Sequence, residues 1–420
     1  MAGIPPASES MIIAPTEKRV PGIDLLRGLC IVAVVLHHIN LRIRFNESSL
    51  GKLIGPAANR VLFWSGYYGV RVFFVISGFL IATWSLKRWG VLRNIGLRQF
   101  YLMRFARIMP CLLGLLALFA VLDLAGVPRF TINPEHTSLA RALFAALTFH
   151  INWLEARTGY LPGGWDVLWS LSVEEVFYIF FPLVCFLVRK QLLLIALLSG
   201  FVIIGPFARV LIHNDIWVDY SYLSCMDGIA FGCLAAMLCA KIKFSDKSNL
   251  ALRISGILLC LLIDVFRHTA FKIGFYKAGL DVTVLEIGTC LLVIGLQQQF
   301  EKKSTQARTS AASGGGFKSF WRAVTTFPST LFRWFGRNSY EVYLTHMLVV
   351  WPMVITFQHL HQSINMAIFW FIAATALTGV LGHVVSQLYS EPLNRSLRRK
   401  FMPAAPRAAT LRASSQSGSY

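Results

Sequence analysis

Apolar residues in this chain gather into long blocks separated by short polar stretches. A membrane span needs roughly 20 apolar residues. Candidate blocks run over 23–41, 62–84, 111–126, 168–188, 191–212, 221–240, 250–266, 281–298, 338–357 and 365–388. A shorter apolar block, 139–153, carries Arg141, His150 and Asn152. The blocks follow no heptad period and show no internal repeat, which excludes a coiled coil and weighs against a transporter built from duplicated halves. The pattern predicts an all-α integral membrane protein.

Composition supports that reading. The 420 residues are 55% hydrophobic and only 14% charged, against about 25% charged in an ordinary soluble domain. A soluble enzyme is excluded. The 40 Lys and Arg outnumber the 20 Asp and Glu, a balance that in a soluble protein would point to nucleic acid. In a membrane protein, basic residues collect instead in cytoplasmic loops. Ten spans with the N-terminus inside place 26 of the 40 on the cytoplasmic side and 10 outside, leaving Arg27, Arg71, Arg209 and Arg253 within spans. Counting 139–153 as an eleventh span would put either Lys87–Arg107 or the basic C-terminal half outside. The expectation is therefore about ten transmembrane helices with both termini cytoplasmic. Residues 139–153 become a non-spanning helix, interfacial or partly buried. Residues 42–60, with Arg42, Arg44, Lys52 and Arg60, lie outside against the rule.

Around a multi-span domain over 23–393, residues 1–22 read as a cytoplasmic segment and 394–420 as a disordered basic cytoplasmic tail. Residues 304–316 (STQARTSAASGGG) read as a flexible linker. The first 22 residues lack a signal-peptide core, so the first span is expected to act as the insertion signal, with no soluble domain at either end. The eight cysteines form no CxxC pair and read as core packing.

Ionisable residues inside spans are costly and point to function. In the first span Arg27 and His38 are eleven residues apart, which leaves them about 20° out of phase on one helix face and about 16 Å apart along the axis. His37 falls about 80° away from Arg27. Asp24 can pair with Arg27 at i,i+3. In the second span, Arg71 near mid-membrane needs a carboxylate; Glu174 and Glu175 in the fourth span and Asp227 in the sixth lie at suitable depths. Ser77 and Gly78 follow, Gly78 as a site of close helix approach. Arg98, Arg104 and Arg107 precede Pro110, either as a solvated basic loop or as a dock for a phosphate-rich donor. Tyr340, Glu341 and Glu391 are expected near the inner face. The chain has no GxSxG, HExxH, Walker loop or GxGxxG after a strand, and His359 and His361 are expected in an outer loop rather than on a metal.

These residues together resemble the membrane acyltransferase type 3 family, whose bacterial members O-acylate sugars and antibiotics. The resemblance covers most of 21–393 and rests on Asp24-Leu-Leu-Arg27 followed by His38, on Gly69–Phe79, Arg104–Pro110, Trp169–Tyr178, Ser339–His346 and Glu391-Pro392. Where many members carry Gln, this chain has Val176. The resemblance implies an acyl-CoA donor, usually acetyl-CoA, reached from the cytoplasm, and an acceptor hydroxyl on a glycan, glycolipid or antibiotic, in a bacterial inner membrane. It assigns its paired Arg and His to Arg27 and His38. Some members carry a fused extracytoplasmic hydrolase-like domain; none is expected here, so transfer would pass directly to the acceptor or to a separate partner.

The resulting expectation is an O-acyltransferase in which Arg27, Arg104 and Arg107 hold the CoA phosphates. His38 acts as general base or transient acyl carrier. Glu174 or Glu175 orients or charge-balances His38 or Arg71, and Ser77 donates to the thioester carbonyl. The alternative is a transporter or flippase using the same polar seam. No metal and no nucleic acid enter either scheme.

Overall fold

The computed structural model describes residues 19–276, 278–309 and 319–401, and no strand occurs among them. The first half of the chain forms α1 (Pro21–Asn40), α2 (Ser49–Phe63), α3 (Gly66–Trp89), α4 (Leu97–Leu124), α5 (Leu139–Leu147), α6 (Ile151–Thr158), α7 (Gly163–Asp166), α8 (Leu168–Leu187) and α9 (Gln191–Leu211). The second half forms α10 (Trp217–Tyr220), α11 (Tyr222–Lys241), α12 (Asp246–Lys272), α13 (Leu280–Thr309), α14 (Ser319–Arg337), α15 (Ser339–Thr345), α16 (Met347–His359), α17 (Ala367–Val385) and α18 (Glu391–Phe401). Among the described residues nine helical segments are long and apolar enough to cross a membrane, and α15 with α16, bent by 46°, makes a tenth. Each coincides with a block expected from the apolar pattern.

The differences lie at the ends of the spans. The outer stretch 49–63 is helical, bent where Gly55 adopts φ 79° before Pro56. Helix α4 begins at Leu97, so Arg104 and Arg107 sit on a helix and not in a loop, with Pro110 inside it. The 139–153 block is two short helices instead of one. Phe149 takes a positive φ of 59° at the break, and the Thr148 hydroxyl turns back to the Phe144 carbonyl at 2.6 Å. The first part of the expected linker 304–316 is helical, because α13 continues to Thr309; residues 310–316 lie outside the described residues. The expected tail from 394 is helical to Phe401, with Asn394 buried. The expected tail over 402–420, and the N-terminal segment up to residue 18, lie outside the described residues.

Close backbone approach sets two crossings. A Cβ on Gly78 would run into the Ile229 carbonyl, and one on Gly232 into the Val75 carbonyl, so α3 and α11 pack with almost nothing between them. Gly28 and Gly336 bring α14 against α1 in the same way, at the Phe332 and Asp24 carbonyls. Helices α9 and α12 instead leave Ile203, Phe207, Leu258 and Leu261 exposed, as lipid-facing helices do.

Candidate active site

Helix α1 carries polar groups toward two cavities. Arg27 lines a cavity of about 360 Å³, and its Nη2 donates to Ser339 Oγ at 2.8 Å. His38 lines a second cavity of about 670 Å³. Val70 and Tyr343 line both, so the cavities meet at these two side chains. The Tyr343 hydroxyl is fixed there, 2.6 Å from Ser170 Oγ and 3.0 Å from the Val167 carbonyl.

Among the described residues six arginines line the Arg27 cavity, Arg19, Arg27, Arg104, Arg107, Arg337 and Arg398, against one carboxylate, Glu174. Helix α8 supplies the opposite wall. Ser170, Glu174 and Tyr178 recur every four residues and so form one stripe, while Glu175 points elsewhere. Ser77 donates to Glu174 at 2.8 Å. Arg104 reaches Glu175 at 3.1 Å and lies 3.7 Å over the Tyr178 ring. Arg107 lies three residues on, on the same face of α4, and is held between Glu341 at 3.0 Å and Glu391 at 2.9 Å. A single turn of π-helix, Ser386–Ser390, leads directly into Glu391. Tyr340 donates to the Ile108 carbonyl at 2.9 Å, beside Arg107.

At the other end, His38 faces His346 with ring centroids 5.0 Å apart. His346 Nδ1 lies 2.6 Å from the Tyr343 carbonyl. A carbonyl can only accept, so this nitrogen carries a proton, and in the neutral ring Nε2 keeps the lone pair. His38 Nδ1 and His346 Nε2 are buried without a partner among the described residues. His37 also lines the His38 cavity, but packs edge-on against Trp64. Trp169 and Tyr220 are stacked at 4.1 Å in the same wall. Beside them Asp166 accepts the Tyr220 hydroxyl at 3.1 Å. Burial, with the Asp166 carboxyl next, holds the Glu155 carboxyl well above the usual carboxylate range.

Three expected pairings are corrected. Arg71 meets neither Glu174, Glu175 nor Asp227. It is fully buried and donates to the Ser224 carbonyl at 2.6 Å, the Tyr67 hydroxyl at 2.8 Å and the Asp219 carbonyl at 3.0 Å. Its nearest carboxylate oxygen is Asp219 Oδ1 at 4.0 Å, because the face of α3 that carries Arg71 packs on α11 and not on α8. Asp227 pairs instead with Arg209 at 2.7 Å. Glu174 and Glu175 are taken by Ser77 and Arg104, so neither forms a hydrogen bond to His38 among the described residues. Asp24 and Arg27 form no ion pair there either; Arg27 turns to α15 instead.

With that geometry in view, comparison with known proteins is decisive on kinship. A family model for the type 3 acyltransferase domain matches residues 20–385. The chain belongs to the type 3 acyltransferase family. It is similar to the peptidoglycan O-acetyltransferase OatA of Listeria monocytogenes, 24% identical over 353 residues that cover 80% of this chain and 50% of that protein. It is also similar to the O-acetyltransferase OatA of Staphylococcus aureus, 22% identical over 407 residues, 90% of this chain and 58% of that protein. A putative O-acetyltransferase of Staphylococcus aureus is 30% identical over 169 residues, 39% of this chain and 24% of that protein. The chain thus spans about half the length of the curated relatives it matches. No solved structure matches it.

In this acyltransferase domain the structure brings Arg27, Arg104, Arg107, Ser77, Glu174 and Tyr340 to one cavity and His38 to the other. Glu341 and Glu391 stand behind Arg107. Sequence reasoning did not single out His346, Asp166, Arg337 or Arg398 as site residues. The motif Ser339–His346 held a signal for the first, since seven residues is two helical turns and sets Ser339 and His346 on one side. The others depend on contacts between helices distant in sequence.

Proposed function

We propose that this acyltransferase moves an acyl group, in the simplest case acetyl, from a coenzyme A thioester in the Arg27 cavity to a hydroxyl of a glycan or glycoconjugate in the His38 cavity. One observation carries the reading: a single helix sets Arg27 in one cavity and His38 in the other, and the cavities meet at Val70 and Tyr343. Six arginines against one lining carboxylate suit a donor bearing several phosphates. An extended pantetheine arm spans the roughly 16 Å rise from Arg27 to His38. Arg104 and Arg107 already hold carboxylates, so Arg27, Arg337 and Arg398 carry more of the phosphate charge, and the two ion-paired residues shape the wall.

His38 then removes the proton as the acceptor oxygen attacks the thioester carbonyl, the carbon–sulfur bond breaks, and the protonated His38 returns that proton to the CoA thiolate. In the covalent variant the imidazole first carries the acyl group and passes it on. His346, with Nδ1–H fixed on the Tyr343 carbonyl, stands beside His38. Glu174 holds Ser77, whose hydroxyl stands at the donor side. The aromatic wall of Trp169 and Tyr220 suits a sugar ring. The names of the relatives, O-acetyltransferases and in one case a peptidoglycan O-acetyltransferase, support acetyl and a glycan as the transferred group and acceptor. The arginine-rich end faces the cytoplasm, in a bacterial inner membrane.

The test uses the full chain reconstituted in bilayers with acetyl-CoA and a glycan acceptor, following free CoA and acetylated product. His38→Ala is expected to stop transfer, while His37→Ala is milder. Undiminished transfer by a stably inserted His38→Ala variant, or movement of the glycan across the bilayer without CoA release, overturns the reading.

A further inference from the structure

Arg42 and Arg129 are basic residues on the side where topology does not call for them, and they converge. The Arg42 guanidinium lies 4.6 Å from the Trp351 ring and that of Arg129 lies 5.0 Å from it. All three residues line the His38 cavity. Neither arginine has an ion-pair partner among the described residues; Arg42 makes one long contact of 3.4 Å to the His38 carbonyl. Trp351 is only 6% exposed, and its indole N–H is buried without a partner. Unspent donors in a cavity wall point to a ligand that accepts.

Arg129 is held there at a cost. It adopts φ 72°, a conformation unfavourable for a residue with a Cβ. The next residue, Phe130, fixes it: its side chain packs on Phe119, and its carbonyl accepts the Trp165 indole N–H at 2.9 Å. Backbone strain of this kind persists where the surroundings over-determine it and clusters at ligand sites. Asp166 is the one carboxylate lining this cavity among the described residues, and it already accepts the Tyr220 hydroxyl. Burial pulls the Arg42 guanidinium below its ordinary value, with Asp166 opposing and Arg129 reinforcing the shift, which places the three groups within each other's field.

We propose that the His38 cavity takes an acceptor carrying an oxyanion, a carboxylate or a phosphate, beside the hydroxyl to be acylated, with Arg42 and Arg129, set against the Trp351 ring, as its anion subsite. This rests on the acyl-transfer reading for what the cavity holds. Two guanidiniums against one ring supply donors suited to the oxygens of such a group. The anion fixes the register of the glycan, so the hydroxyl reaching His38 is selected by its distance from the charge.

Binding is measured on the full chain in nanodiscs by saturation-transfer NMR, so that no turnover is needed. The probes are a glucuronic acid trisaccharide, a neutral glucose trisaccharide and the same neutral trisaccharide bearing one phosphate. At least one anionic probe is expected to bind about tenfold more tightly than the neutral one, and to lose that preference at high salt. The carboxylate and phosphate arms distinguish the two sources of the anion. Arg42→Gln with Arg129→Gln is expected to erase the preference and leave the neutral probe unchanged. Equal binding of all three probes, no binding of any, or a preference that survives the double substitution overturns the proposal. Failure of the acyl-transfer reading registers separately, as no CoA release by the unsubstituted protein whatever the probes do.

Discussion

Two regions of this molecule hold arginines and carboxylates inside the bilayer, and they use them differently. Between α3, α9, α11 and α13 lies a sealed cluster. Arg209 donates to Asp227 at 2.7 Å, the Ser224 carbonyl at 2.8 Å, Thr283 at 2.9 Å and the Gly279 carbonyl at 3.1 Å. Arg71 beside it shares the Ser224 carbonyl and is fully buried. The seam along α1, α4, α8 and α15 is open: its arginines face a cavity, and His38 keeps a ring nitrogen unpartnered. A buried ion pair walled off from the cavities holds helices together, since removing one partner strands the other charge. A polar group with capacity left over, facing a cavity, is free to act on a ligand. Depth in the membrane does not separate the two roles, and neither does hydrogen-bond saturation, since Arg71 Nε and both Glu286 oxygens are also unpartnered among the described residues; facing one of the two cavities does.

The comparison breaks most sharply at His38. His38→Ala is expected to lower acyl transfer by about 10²–10⁴-fold with the unfolding midpoint unchanged, measured as CoA release alongside thermal unfolding in nanodiscs. Loss of folding with loss of activity would move His38 to the structural side. In the sealed cluster the effects reverse. Asp227→Leu is expected to cost about 3–5 kcal/mol of stability by leaving Arg209 uncompensated. Arg209→Met with Asp227→Leu recovers most of it, with activity per folded molecule kept. If the single and double variants are equally stable, the pair does not hold the fold.

Arg27→Gln sharpens the line from the open side. It is expected to raise the KM for acetyl-CoA about tenfold, as loss of a charged hydrogen bond does, with kcat less affected and the melting midpoint held. A smaller effect belongs to Glu155, outside the spans. Its carboxyl is raised by burial, so the folded state holds the proton more tightly than the unfolded chain. The associated stability is present below the ordinary carboxylate pKa and is lost as the pH rises toward the folded value. Glu155→Gln is therefore expected to match the wild type near pH 4 and exceed it by about 1–2 kcal/mol near pH 8. Identical pH–stability curves would remove the Glu155–Asp166 carboxyl pair from the description.

Helix phase alone sets Arg27 and His38 on one face of α1, and both line cavities that meet. Reasoning from depth failed for Arg71. Depth along the membrane made Glu174, Glu175 and Asp227 all suitable, but the direction of α3 around its axis sends the guanidinium to α10 and α11. Position along a helix is a local property. The partner is set by which helix lies alongside, and no spacing within one span encodes that. Helix α14 was missed for a related reason: its apolar residues alternate with polar ones on a helix that lies against α1 without meeting the hydropathy of a span.

By itself the sequence determined the membrane class, the ten apolar segments, and the residues of α1 that face a common side, because hydropathy and helical periodicity are short-range properties. The tertiary structure decided which charges are spent. It joined Arg107 to Glu341 and Glu391 across 234 and 284 residues, closed the cluster around Arg209, and left Arg42 and Arg129 beside Trp351 with donors unused. Which polar groups face a cavity is a property of three-dimensional neighbours, and it separates the groups that hold the fold from those left free to act.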